Sequence, residues 1–240
     1  MGYTLIYSQI YEFIPYLIHG AIITLQIAVL AFFGGLFFGL ILATIRTFSS
    51  GILDKITGVY VTFFTNTPQL VQIYFLFFAL PEFGIMLSPF NAVLLGMTLN
   101  AAAYLCEIQR AGFLSIRQEE LDASRTLNFN IIQQVRYVIF PHIIRVLFPS
   151  LSNHYILMTL GTSMAAIFGV EELTGRAFNI NSETFRSVEI FSVTALIYII
   201  ITFIATFGQP SRHRSFMTIS IRLPHRITHR RPQPTNRPTS

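Results

Sequence analysis

Polar residues that could bind a ligand lie in this sequence inside long apolar stretches, where such residues are energetically costly and are therefore functional candidates. Thr67 precedes Pro68 within one apolar run, and a proline removes one helix hydrogen bond and can turn polar backbone toward a cavity. Asn100, Tyr104 and Glu107 follow one another at intervals of four and three residues, so they would share one face of a helix. The residues predicted to line a polar pathway are Thr67, Asn100, Tyr104, Glu107, Thr162 and Ser163.

Each of these polar residues also has a purely structural interpretation. Glu107 could pair with the nearby Arg110, and Tyr104 could anchor its helix at a membrane surface. Thr162 and Ser163 could serve close helix packing through small side chains, as Gly35 and Gly39 of a GxxxG pattern are expected to do. The sequence alone supports both interpretations.

The sequence lacks the motifs of a nucleotide-binding loop, a zinc protease and a serine hydrolase. Lys55 is the only lysine and follows Asp54, so the Gly-Lys-Ser/Thr step of a phosphate-binding loop cannot be formed. There is no HExxH zinc motif and no GxSxG elbow, and the lone Cys106 excludes a disulfide framework. We expect no enzymatic activity, no bound cofactor and no metal in this chain, so work on a substrate would need a partner or an ion gradient.

Composition indicates a lipid bilayer as the solvent of most of the chain. Of the 240 residues, 52% are hydrophobic and 11% are charged, and the mean hydropathy is +0.58. Five charge-free stretches exceed the roughly 18–20 residues that cross a bilayer as a helix. Because a barrel would show short alternating segments, we predict an all-α integral membrane protein with spans at approximately 13–45, 56–81, 88–110, 146–170 and 189–208.

Basic residues predict the orientation of these spans. With the N-terminus outside, the cytoplasmic segments hold 14 basic residues, and only Arg176 and Arg186 lie outside. Without the seven arginines of the C-terminal tail, the split is still 7 to 2. The positive-inside rule therefore predicts an N-out, C-in arrangement.

A change of composition after Gln209 divides the chain. Residues 1–209 form the predicted membrane domain, whereas residues 210–240 contain seven arginines, five prolines and no acidic residue. A basic tail can bind nucleic acid or anionic lipid, but a polar, proline-rich segment cannot form a core, so we predict disorder and no nucleic-acid partner. A shifted reading frame would also explain the abrupt change.

The connection between the third and fourth predicted spans is the longest and the most charged. Residues 118–127 can form a helix whose acidic first turns suit the helix dipole. Asn128 and Asn130 are turn and capping residues, and a second short helix is predicted over 131–140, ending at Pro141. The pattern predicts a helix-turn-helix on the cytoplasmic face, and a solvated linker is the alternative that periodicity alone leaves open.

This connection resembles the EAA loop of ABC importer permeases. The matching residues are Asp122-Ala123-Ser124, then Asn128, then Val138-Ile139-Phe140-Pro141, where the family has Glu-Ala-Ala, a glycine four residues later and Ile-Leu-Pro. The spacing is kept. The departures are mild, because Asp122 retains a carboxylate and Asn128 tolerates a positive φ.

The surrounding sequence is similar to the polar amino-acid branch of that family, the histidine-, arginine- and glutamine-type permeases. Residues 66–72, Asn-Thr-Pro-Gln-Leu-Val-Gln, correspond to the family's Gly-Thr-Pro-Leu-Leu-Val-Gln. Further matches lie at 20–25, 102–104, 107–108, 110–112, 169–170 and 172–174, so that the resemblance covers roughly residues 15–207.

The resemblance implies the permease subunit of an ATP-binding-cassette importer, a multi-pass protein of the bacterial inner membrane that translocates a polar amino acid. ATP and Mg²⁺ would bind to a separate ATPase subunit, which the EAA loop would contact. The implied contact residues are Asp122, Ala123, Ser124, Asn128 and Pro141. The other implied partners are a second permease subunit, an extracytoplasmic amino-acid-binding protein and membrane lipid.

One departure concerns the substrate. The family's Lys-Asp-Thr-Ser-Leu stands here as Leu160-Gly161-Thr162-Ser163-Met164, so an acidic residue that could meet an amino group is missing. The chain would then be the non-contacting half of a heterodimer, or it would carry a substrate recognised otherwise. A gradient-driven transporter and a non-transporting scaffold are the alternative functions, although the sequence has no inverted repeat.

Overall fold

The computed structural model describes residues 5–207, and side chains up to residue 204, as a helical bundle without strands in that range. The predicted tail, residues 210–240, lies outside the described residues. The helices are α1 (Ile14–Phe48), α2 (Ile52–Asn66), α3 (Gln69–Tyr74), α4 (Pro89–Leu114), α5 (Gln118–Thr126), α6 (Ile131–Gln134), α7 (Phe140–Gly161), α8 (Leu173–Thr184) and α9 (Ser187–Phe207). Tighter or wider turns extend several of them: 3₁₀ turns at Tyr7–Phe13, Leu80–Phe83 and Thr162–Phe168, and π turns at Phe75–Ala79 and Val135–Ile139.

Four helical stretches of the described chain are long and apolar enough to cross a membrane: Tyr7–Phe48, Pro89–Leu114, Ile131–Phe168 and Ser187–Ile204. They contain four of the five predicted spans almost entirely. The remaining predicted span, 56–81, is not one helix, because Thr67 is extended and Pro68 separates α2 from α3. The segment after the break, Gln69–Phe83, is apolar but short.

The core forms where α1 packs along α4. A Cβ atom added at Gly35 would lie 2.5 Å from the Cβ of Ala101, and one at Gly39 would lie 3.1 Å from the carbonyl oxygen of Ala102. Such close backbone approach requires small residues on both helices. The packing interpretation of Gly35 and Gly39 is therefore confirmed.

The prediction that a second short helix ends at Pro141 was wrong. Pro141 lies in the first turn of α7, and the helical stretch continues from Ile131 to Phe168. The π turn Val135–Ile139 comes just before the proline. A π turn shifts the backbone hydrogen bonds to the i→i+5 pattern. A proline is tolerated in the first turn that follows, because the missing N–H is not required there. The helical stretch therefore continues past Pro141.

Charged side chains hold the helix ends together at both ends of the bundle. Arg46 at the end of α1 pairs with Asp54 of α2 at 3.6 Å and with Glu107 of α4 at 3.3 Å. At the other end, Arg176 of α8 stacks on the ring of Tyr16 at 4.2 Å. Helices α1 and α4 therefore finish at the same end, which also holds the connection between α4 and α7.

Candidate substrate pathway and coupling elbow

The break between α2 and α3 leaves a backbone carbonyl without its usual partner. Pro68 has no N–H, so the carbonyl of Phe64, four residues earlier, cannot accept the regular helix bond. Thr67 has φ −113° and ψ 141°, and α3 begins again at Gln69. Within a membrane no water replaces such a bond, so side chains of the protein must supply it.

Gln72 and Asn100 supply the missing donors. The Nε2 of Gln72 donates to the carbonyls of Phe64 at 3.0 Å and Thr67 at 3.1 Å, and to the Thr67 hydroxyl at 2.7 Å. The Nδ2 of Asn100 donates to the carbonyl of Phe64 and to the Oε1 of Gln72, both at 3.1 Å. Gln72 and Asn100 are both buried. We name Thr67, Gln72 and Asn100 the break cluster.

Tyr104 extends the break cluster by one helical turn. Its hydroxyl donates to the carbonyl of Thr65 at 3.2 Å, so it too satisfies the end of α2. Its ring lies 5.7 Å from the ring of His154 on α7. Three of the predicted pathway residues, Thr67, Asn100 and Tyr104, thus come together at the break.

Glu107 occupies a different position. Its carboxylate pairs with Arg110 at 3.7 Å, as the structural interpretation predicted, and also with Arg46 at 3.3 Å. Arg46 is 61 residues away in sequence, which is why sequence reasoning did not find it. The carboxylate is therefore charge-compensated at the end of the bundle that holds the connection between α4 and α7.

Thr162 and Ser163 lie in the 3₁₀ turn after α7 and do not belong to the break cluster. Thr162 is fully buried and donates to the carbonyl of Thr159 at 2.8 Å. Their neighbour Gly161 borders the break, because a Cβ atom there would meet only the Oε1 of Gln69, at 3.7 Å. Position 161, which is acidic in the permease family that the sequence resembles, therefore has room for a side chain but is a glycine here.

The first helix and the turn of the predicted helix-turn-helix are present between α4 and α7, and the second helix continues into α7. We call residues 115–134 the coupling elbow. Helix α5 ends before Asn128, which adopts φ 56°, the left-handed conformation expected of it. Asn130 then caps α6: its side chain accepts from the N–H of Gln133, and the Gln133 side chain accepts from the Asn130 N–H, each at 2.9 Å. The turn is thus fixed by local backbone chemistry.

The residues predicted to contact the ATPase differ in exposure. Asp122 is exposed and accepts from Arg125 at 3.0 Å, and Ala123 and Asn128 are also exposed. Ser124 is buried, with its hydroxyl donating to the carbonyl of Leu121 at 2.7 Å. Pro141 lies outside the coupling elbow, at the start of α7.

A model of binding-protein-dependent transport system inner membrane components matches residues 35–210. This chain belongs to that family. It is therefore a transport component of the inner membrane, a permease subunit, and its apolar helices agree with that location.

The relatives of this permease have recorded roles in amino-acid transport. The glutamine transport system permease protein GlnP of Escherichia coli (strain K12) is 37% identical over 203 residues, covering 84% of this chain and 93% of that protein. The probable amino-acid ABC transporter permease protein PatM of Vibrio harveyi is 33% identical over 218 residues, 88% of this chain and 98% of PatM. A crystal structure of an amino acid ABC transporter with histidines matches with a TM-score of 0.77 and 28% identity, over 90% of this chain and 98% of that one.

Sequence reasoning matched Glu172 of the permease to the family but missed its structural role. The carboxylate is fully buried and accepts from the hydroxyls of Thr24 at 3.0 Å and Tyr198 at 2.9 Å, and from the N–H of Gly175 at 2.9 Å. Burial raises the pKa of Glu172, while these hydrogen bonds oppose the rise. The residue joins α1, α8 and α9, and its side-chain partners Thr24 and Tyr198 lie 148 and 26 residues away in sequence, too far to be predicted.

Proposed function

We propose that this permease is the transmembrane subunit of an ATP-driven importer of a polar amino acid and has no nucleotide-binding site of its own. ATP and Mg²⁺ bind to a separate ATPase subunit, an extracytoplasmic binding protein delivers the substrate, and a second permease subunit completes the complex in the lipid bilayer. The family membership and the amino-acid permeases among the relatives support this proposal.

The coupling elbow is the observation that carries the proposal. Its apolar side chains are strongly exposed in the turn after α5 and at the very start of the stretch Ile131–Phe168: Leu127 is 68% exposed, Ile131 79% and Ile132 77%. Exposed apolar side chains on short helices suit docking into a groove of a partner protein. Asp122, Ala123 and Asn128 are exposed in the same elbow and form the contact with the ATPase. The buried Ser124 supports α5 from within, and Pro141 follows the elbow in the first turn of α7.

The elbow is connected to the helices that border the pathway. His142 near the start of α7 lies 3.4 Å from the carboxylate of Glu120 in α5, and its other ring nitrogen lies 3.2 Å from the Ser115 hydroxyl after α4. Movement of the ATPase subunits would thus be transmitted to α4 and α7. Nucleotide drives such a change only through different affinity for the two conformations.

The proposed topology has five spans, with the N-terminus outside and the C-terminus inside, in a membrane domain of residues 1–209. The second span is the broken one, in which α2 and the segment Gln69–Phe83 follow each other. About 30 helical residues rise about 45 Å, so the two halves together suffice for a bilayer. The basic tail, residues 210–240, would lie in the cytoplasm.

The proposed substrate pathway follows the polar residues between these spans. Thr67, Asn100 and Tyr104 form its polar wall at the break, Glu107 lies toward the elbow, and Thr162 and Ser163 flank the open position at Gly161. Irregular backbone at membrane depth is typical of positions that line a cavity, which supports this location.

Substitution of Asn128 tests the proposed function. Asn128→Val places a β-branched residue at φ 56°, a conformation that only glycine and a few polar residues adopt readily. We expect Asn128→Val to lower ATP-dependent amino-acid uptake into proteoliposomes at least about tenfold, while Asn128→Gly, the matched control, transports like the wild type.

The two variants are compared in complexes reconstituted with the ATPase subunit and the binding protein, at equal permease content. Equal uptake by Asn128→Val and Asn128→Gly would contradict coupling through the elbow. Uptake by the permease without its ATPase, driven by an ion gradient, would contradict the importer proposal as a whole.

A further inference from the structure

Helices α4 and α7 meet along an apolar seam. At one point of the seam a Cβ atom on Gly112 would lie only 2.7 Å from Leu147, so the two helices are in close contact there. Further along, Ile108 and Leu151 pack in the same core, and Met158 and Ala101 follow beyond them. A polar side chain at the intermediate level of this seam requires an explanation.

His154 occupies that level. It is one turn beyond Leu151 on α7, and its ring lies 5.7 Å from the ring of Tyr104 with an angle of 32° between the planes. The Nε2 of His154 is buried and has no hydrogen-bond partner among the described residues. An unsatisfied buried nitrogen destabilises a fold, and a phenylalanine of similar shape would avoid that cost.

His154 is connected to the break through Tyr104. Tyr104 bonds to the end of α2, next to the break cluster, at 3.2 Å. Gly161 lies seven residues after His154 and so on the same face of α7, and the space beside it is open except for the Oε1 of Gln69. The break cluster, Tyr104 and His154 form one polar strip that runs across three helices.

We propose that His154 is a specificity-determining residue whose Nε2 forms a hydrogen bond with the amino acid during its passage. This proposal rests on the proposed function. The strip consists of amides, hydroxyls and an imidazole, and the carboxylate that follows Tyr104 on α4, Glu107, is paired with Arg46 and Arg110. A strip without an unpaired carboxylate suits an amino acid with an uncharged polar side chain and offers no partner for an additional cationic group.

The test measures binding of amino acids to the assembled complex without the binding protein, so that the selectivity of the binding protein does not affect the result. We measure dissociation constants for a panel of uncharged, cationic and acidic amino acids by titration calorimetry. His154→Phe keeps the ring but removes the nitrogen, and we expect it to weaken binding of the preferred uncharged amino acid about tenfold. His154→Gln, which retains a polar atom at similar reach, should bind within about threefold of the wild type.

Tyr155→Phe is the matched control, because Tyr155 lies on the same helix but packs against Phe32 of α1 at 5.3 Å. Its dissociation constants should equal those of the wild type. Melting temperatures of all variants are measured in parallel, because relief of the unpaired nitrogen should raise the melting temperature of His154→Phe even as binding weakens.

Three results would overturn the proposal in distinguishable ways. If His154→Phe binds as the wild type does and only its melting temperature changes, His154 is a buried residue of the seam. If the wild-type complex prefers cationic amino acids, the substrate class is wrong. If the wild-type complex neither binds nor imports any amino acid, the proposed function fails together with this inference.

Discussion

At the scale of single residues, Gln72 shows how a broken membrane helix is satisfied. Its amide donates to the end of α2 and accepts from Asn100, so it replaces the donor that Pro68 lacks. The side chain is buried among these partners. Its removal would take the Gln72 donor from the Thr67 carbonyl, leave the Phe64 carbonyl with Asn100 as its side-chain donor, and remove one acceptor of Asn100.

We predict that Gln72→Leu lowers the free energy of unfolding by about 1–3 kcal/mol, because buried polar groups lose their partners. Gln26→Leu is the control, since Gln26 is exposed on α1. The comparison is made from melting temperatures of the detergent-solubilised permease, followed by loss of the monodisperse chromatographic peak. Equal melting temperatures for the two variants would show that the break needs no side-chain donor.

At the scale of secondary-structure elements, proline ends a helix at one position of this permease and is accommodated within a helix at others. Pro68 separates α2 from α3, with the preceding Thr67 extended, whereas Pro141 follows a π turn within one continuous helical stretch. Pro149 lies inside α7, which continues past it. Proline therefore marks a lost hydrogen bond in this permease, and the neighbouring turn decides whether the helix ends.

Helix packing predicts opposite effects of a glycine-to-alanine substitution at two positions, Gly35 and Gly58. Gly35→Ala would place a methyl group 2.5 Å from the Cβ of Ala101, so we expect a loss of about 1–3 kcal/mol in the free energy of unfolding. Gly58→Ala on α2 meets only the Arg46 guanidinium, at 3.7 Å or more, and should stabilise its helix by about 0.5–1 kcal/mol. Melting temperatures that shift in the same direction for both variants would refute close packing of α1 on α4.

At the scale of the whole molecule, the ion pairs of Arg46 mark one end of the bundle, and the stacking of Arg176 on Tyr16 marks the other. The coupling elbow and Arg46 lie at one end, and Tyr16 with Arg176 lie at the other. Phe185, in the turn between α8 and α9 on that second side, is 82% exposed and has φ 56°. The proposed orientation assigns the elbow end to the cytoplasm.

Thiol labelling of intact cells tests that assignment. In a cysteine-free Cys106→Ala background, Phe185→Cys should react with a membrane-impermeant maleimide, whereas Leu127→Cys in the coupling elbow should react only after the cells are opened. Both positions are well exposed, so a difference reflects the side of the membrane and not burial. Labelling of Leu127→Cys in intact cells would reverse the topology and remove the basis for an ATPase contact.

The sequence by itself determined the features that depend on neighbours in the chain. Long apolar runs specify membrane helices, because backbone groups in lipid must bond within their own segment. The helix of the coupling elbow and the positive φ of Asn128 followed from capping and turn residues only a few positions apart. The family resemblance followed from the same short segments, and the family is confirmed.

Tertiary structure alone decided how distant polar groups are paired. Asn100 meets the end of α2 across 36 residues, and Thr24 meets Glu172 across 148. The sequence also gave no sign of α8, of the continuation of α7 through Pro141, or of the unpaired nitrogen of His154. Such features depend on which helices become neighbours, and local preferences do not contain that information, because packing of whole helices determines it.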